Sequence, residues 1–144
     1  MGIAIIGSSL LAAVALVTGG AEAQTTAPTN PPKLKVKAPK SPISTGTHYD
    51  IGSSGYSGGF NRVAAFVSVN VHCASTALAE ARTGTPEHLF TVSADQKFAV
   101  ATKSAYWAKA PGDRYACAYL FLHKHADAAD QLRVEKRFSV TAKR

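Results

Sequence analysis

From Phe60 onward apolar side chains recur at every second position, the period of a half-buried strand whose successive side chains point to opposite faces. In VAAFVSVNVHC, residues 63–73, one face carries Val63, Ala65, Val67, Val69, Val71 and Cys73 and is expected to meet a core, against Ser68, Asn70 and His72 on the other. HLFTVSA around Phe90 and Val92, then KFAVATKSAYW around Phe98 and Val100, predict two further strands joined through Ala94, Asp95 and Gln96. APGD, residues 110–113, reads as a turn. After it Tyr115, Cys117, Tyr119 and Phe121 alternate with Ala116, Ala118, Leu120 and Leu122, and because both faces are apolar the strand should be central. RVEKRFSVTA predicts a last strand, with Val134, Phe138 and Val140 expected to need a bulge to share a side. TALAEAR and ADAADQL are the only helix-like pieces.

The first part of the chain has neither period. Met1 to Ala21 contains no charged side chain and is apolar or small throughout, and Ala21 and Ala23 stand in the small-residue pattern of a signal-peptidase site. Residues 1–23 are therefore expected to be a cleaved signal peptide, although its start lacks the usual Lys or Arg; the rival reading is a retained membrane anchor. Residues 24–59 have the composition of a flexible linker: prolines and lysines in TTAPTNPPKLKVKAPKSPIS, glycines and serines in GSSGYSGG. Within it Leu34 to Pro39 alternates apolar and basic residues and could dock as an edge strand.

Several short strands without a long amphipathic helix predict an all-β fold, a single antiparallel β-sandwich of about seven strands over residues 60–144. The chain has a formal net charge of +7, which removal of residues 1–23 with Glu22 raises by one. A basic exported domain favours anionic partners at a cell envelope, and Lys33, Lys35, Lys37 and Lys40 of the linker are the candidate contacts, although basic residues are spread along the whole chain. Solubility alone is the simpler account of the same charge.

Two cysteines in an exported protein read as a disulfide, here Cys73 with Cys117. A redox-active pair would want a short spacing such as C-x-x-C. Asp113, Tyr115 and Cys117 form D-x-Y-x-C, which resembles the penultimate strand of immunoglobulin-like domains, with Cys73 matching the partner cysteine. The resemblance covers Phe60 to Ala142 and implies a sandwich with a tyrosine corner at Tyr115. It departs from the pattern in its short cysteine spacing and in the place of Trp107, and it carries no function with it.

Four constellations bear on chemistry. His123 and His125, two apart at a strand end with Asp127 beyond, could hold copper or zinc if His48, His72 or His88 arrived as a further ligand. Ser57 in GYSGG formally matches the G-x-S-x-G elbow but lacks its strand-to-helix context, so a flexible loop is expected. Glu80, Glu87 and Asp95 are expected to be solvated charges rather than a catalytic carboxylate pair. Lys97, Lys103, Lys109 and Arg114 surround Tyr106, Trp107 and Tyr115, which are either core or a groove for a sugar polymer or single-stranded nucleic acid.

The expectation is thus a secreted or periplasmic, non-catalytic binding or structural module without a cofactor, engaging a protein or an anionic envelope component. Intracellular nucleic acid is not expected as a partner, nor a transmembrane helix after signal cleavage. The alternatives are a small periplasmic metal-binding protein centred on His123 and His125, and an enzyme of unknown type.

Overall fold

A computed structural model of the chain describes residues 30–69 and 72–144. The expected signal peptide, and the first residues of the expected linker, 24–29, lie outside the described residues. In chain order the elements are β1 (Lys33–Lys37), β2 (Ile43–Ser44), β3 (His48–Tyr49), β4 (Gly52–Tyr56), β5 (Arg62–Ser68), α1 (Ala77–Ala81), β6 (His88–Thr91), β7 (Lys97–Ala101), β8 (Tyr106–Trp107), β9 (Gly112–Phe121) and β10 (Leu132–Thr141). They form a three-stranded sheet ordered β1-β4-β7, a curled five-stranded sheet ordered β2-β10-β9-β5-β6 and a two-stranded ribbon of β3 and β8. Among the described residues only β2, beside β10, pairs in parallel. Among the described residues no helix is long and apolar enough to cross a membrane.

The flexible linker expected up to residue 59 is corrected by the structure. Its described residues supply β1 to β4. The alternation in KLKVK does place β1 at a sheet edge, with Leu34 and Val36 inward. More surprising is GSSGY, which becomes β4, the centre of the three-stranded sheet. Small side chains let β1 and β7 close in on either side, so main-chain hydrogen bonds hold this strand where side-chain hydrophobicity cannot. Gly55 is the tightest point: its φ is +156°, and a Cβ there would lie 1.9 Å from the Lys33 carbonyl oxygen.

Facing the three-stranded sheet, the five-stranded sheet buries Val63 and Leu120 against Leu34, Phe98 and Val100. Next to them Ala65, Val67, Ala116, Phe138 and Val140 meet Ile51, Tyr49 and Tyr106. On its opposite face Ala64, Phe66, Cys117, Tyr119 and Phe121 lie under Cys73 and α1. Both faces are therefore dry from Val63 in β5 and from Ala116 in β9, as the all-apolar reading of β9 required.

Three expectations about local structure need correction. β5 ends at Ser68 and Val69 is exposed, and Cys73 joins the face opposite Val63; Asn70 and Val71 lie outside the described residues. Pairing of β10 with β9 runs without interruption from Leu132 to Val140, so Val134, Phe138 and Val140 share a side with no bulge. TALAEAR does form α1, with Thr76 Oγ1 accepting the Ala79 N–H at 3.2 Å as N-cap. ADAADQL instead forms turns, because Gln131 donates to the Ala126 and Ala128 carbonyls and accepts the Ala77 N–H.

Candidate anion-binding face

On the outer side of the three-stranded sheet, strand pairing sets the side chains in rows. Lys33, Tyr56 and Lys97 form the first row, Lys35, Ser54 and Ala99 the second, and Lys37, Gly52 and Ala101 the third. Inward alternation of Leu34, Val36, Phe98 and Val100 forces every lysine of these strands outward, where all four are exposed. No outer position in the three rows is acidic. A depression of about 400 Å³ lies over the first two rows, lined by Lys33, Lys35, Lys97, Tyr56 and Ser54.

Flanking lysines two strand spacings apart stand about 10 Å from each other, and neighbours along β1 about 7 Å. Both separations are within or near the Debye length of roughly 8 Å at physiological salt, so the ammonium groups share one positive field. The small residues between them leave the sheet surface flat enough for a polyanion to approach. Of the four lysines singled out from the sequence, Lys33, Lys35 and Lys37 share this face, and Lys40 falls beyond β1 and outside the rows. Lys97, 64 positions from Lys33 in sequence, and Tyr56, 23 positions from it, complete the face through the pairing of β4 with β1 and β7. Only the register could have found them.

The cysteines form the expected disulfide, with Cα atoms 5.9 Å apart and both residues buried. It differs from the immunoglobulin-like arrangement, since it ties a loop to the centre of the five-stranded sheet instead of joining two sheets. Tyr115 likewise stands beside His72, ring centroids 5.3 Å apart, and among the described residues makes no corner hydrogen bond. Around the disulfide the loop is held by polar groups that the sequence did not single out. Glu135 accepts the Cys73 N–H at 2.9 Å and pairs with His72 at 2.7 Å, while Arg133 donates to the Cys73 carbonyl at 2.6 Å. Burial works to raise the Glu135 pKa, but those hydrogen bonds, with the positive charge of His72 and Arg133, outweigh it and hold the carboxyl low.

Glu80 was expected to be solvated and is fully buried instead. The turn of α1 aims its carboxylate inward, where Oε2 accepts the Ala74 N–H at 2.6 Å and lies 3.4 Å from the Tyr119 hydroxyl. Tyr119 donates to the Ala74 carbonyl at 2.7 Å; its own pKa is raised by burial first and by the Glu80 charge second. Ser57 is also corrected, from a flexible loop to a buried clamp whose hydroxyl donates to the Ser93 carbonyl at 2.5 Å and accepts the Gln96 N–H at 3.0 Å. With its hydroxyl committed in this way, it fixes the end of β4.

The proposed metal geometry is not assembled. β9 ends at Phe121, and residues 122–125 turn with Lys124 at φ +70°, so His123 and His125 do not share a strand face. His72 is drawn to Glu135, His48 stacks on Trp107 and His88 meets the Tyr106 edge. Among the described residues no three His, Cys, Asp or Glu side chains, Asp127 included, converge on one point. Of the basic and aromatic set, Tyr106, Trp107, Lys109 and Arg114 do come together, around a separate cleft at the ribbon. Lys97 belongs to the lysine face, Tyr115 to the disulfide side, and Lys103 to the turn after β7. No protein-family model matches the chain, and no curated protein matches it.

Proposed function

We propose that the protein is an exported, non-catalytic binding module, a β-sandwich that engages an anionic component of the cell envelope through the outer face of its three-stranded sheet. The observation that carries this reading is the row structure: four exposed lysines on one face, with no acid among them and only small residues and Tyr56 between. The buried disulfide is consistent with an extracellular or periplasmic setting. A sheet face of this kind offers a field, not a reaction centre. Its affinity for a polyanion should come from many shared charges and fall steeply with salt.

The test compares two triple variants of equal charge on immobilised heparin. Lys33→Gln, Lys35→Gln and Lys97→Gln together should elute at clearly lower salt than the wild type. Lys40→Gln, Lys124→Gln and Lys143→Gln, which lie outside the rows, should elute close to it. Equal losses in both would reduce the interaction to net charge and overturn the assignment of the face.

A further inference from the structure

The ribbon of β3 and β8 packs Tyr49 and Tyr106 against the five-stranded sheet, and beside it lies a cleft of about 410 Å³ that the lysine face does not explain. Its walls include Tyr49, Tyr106, Trp107, Val67, Lys109 and Arg114. Pairing of His48 with Trp107 and Tyr49 with Tyr106 fixes which rings go where. Tyr49 and Tyr106 turn inward and are buried, their planes 22° apart and centroids 5.8 Å apart. His48 and Trp107 turn outward, and Trp107 remains 55% exposed. One side of the indole is braced by the His48 ring at 5.5 Å, nearly parallel at 19°. A large aromatic held flat and left open to solvent is a stacking platform.

The charged side chains that line it have one sign, although Glu87, next to Pro86 of the wall, is near enough to act on Tyr106. The Arg114 guanidinium is fixed by backbone, donating to the Asp113 carbonyl at 2.8 Å and the Ala110 carbonyl at 3.0 Å. Asp113 gives its carboxylate to Arg137 at 2.5 Å, so it does not neutralise Arg114. Lys109 lines the same cleft from the segment after β8. The Tyr106 hydroxyl is already shared between the Ala65 and Pro86 carbonyls, and burial raises its pKa, leaving a neutral ring as wall. Among the described residues no Asp or Glu lines the cleft.

We propose that this cleft binds one acidic sugar unit of an anionic saccharide, its ring on Trp107 and its carboxylate against Arg114 and Lys109. A pyranose presents an apolar C–H face to an aromatic ring, and a carboxylate at its edge matches two cations that carry no acidic partner in the cleft. A nucleic-acid strand fits less well, because successive bases need successive exposed rings. Here the other two aromatics are buried and only Trp107 is available. The site shares no residue with the lysine face, so either reading can fail without the other.

Trp107 is the only tryptophan of the chain, so its fluorescence reports on the cleft directly. Titration of the purified full chain with a galacturonate tetramer should change that emission saturably, whereas a neutral galactose tetramer should not. Arg114→Gln with Lys109→Gln should weaken galacturonate binding about tenfold or more, as expected for loss of charge-assisted hydrogen bonds. The Lys33, Lys35 and Lys97 variant should bind the tetramer as the wild type does. Calorimetry on Trp107→Ala, checked for folding by circular dichroism, should show binding lost. No saturable response, equal response to the neutral tetramer, or tighter binding of a thymidine tetranucleotide would each overturn the proposal.

Discussion

The outer faces of the two larger sheets begin from the same alternating strands and reach opposite ends. On the three-stranded sheet the outward positions are lysine, glycine, serine, alanine and one tyrosine, and nothing among the described residues covers them. On the five-stranded sheet the outward positions are Phe66, Cys117, Tyr119 and Phe121, covered by α1 and the Cys73 loop. The difference teaches where this chain invests its order. Apolar outward residues demand a lid, and a short helix of five residues cannot supply its own stability. The disulfide, Glu80, Arg133 and Glu135 fasten that lid in its place. Lysines demand no lid, and leave a field exposed for a partner.

Breaking the covered side should have the largest effect. Cys73→Ser with Cys117→Ser frees a loop of 44 residues, and the entropic account of cross-linking puts the loss at about 4 kcal/mol. Urea unfolding of the oxidised, reduced and doubly substituted chains would measure it. Salt elution from heparin, taken where each form is still folded, should not change. A drop in retention as large as that of the lysine variants would show that the two faces are not independent.

Breaking the open side needs a single methyl group. Gly55→Ala must push β1 from β4, since the new Cβ would overlap the Lys33 carbonyl in a backbone region that L-residues rarely adopt. Stability should fall by about 2 kcal/mol or more. Unlike the disulfide variant, this one should also lower heparin retention, because Lys33 and Lys35 lose their place beside Tyr56 and Ser54. Amide hydrogen exchange should localise the faster opening to β1 and β4. Exchange that quickens equally over α1 would blur the distinction.

The smallest effect is a pH dependence on the covered side. The Glu135 pKa is lower in the folded protein than its ordinary value of 4.5, so the group contributes stability that is complete above that value. The contribution disappears as pH falls through the folded pKa. Because the pair with His72 is largely exposed, solvent screening keeps its worth to about 1 kcal/mol or less. Glu135→Gln should flatten the acid limb of thermal stability by that much and leave neutral-pH heparin binding alone. An unchanged acid limb would remove Glu135 from the set of groups that fasten the lid.

What the sequence determined by itself follows from side-chain period and composition. The all-β class, the central place of β9, the edge position of KLKVK, the α1 segment and the cysteine pair are all visible as local patterns. Period alone could not reveal β4, because GSSGY has almost no apolar signal and is held by backbone pairing on both sides. Nor could it reveal that Glu80 is buried, which depends on the turn that carries α1 over Tyr119. The spacing of His123 and His125 rested on a strand face that local pattern does not settle: the strand stops at Phe121, and the chain turns through Lys124. Lys97 joined Lys33 and Lys35 only through two successive strand registers, and Trp107 became a platform only when β3 paired with β8. Alternation fixes which side chains share a face of one strand. Which strands lie side by side is decided by long-range pairing, and both candidate binding sites are made of residues that only that pairing brings together.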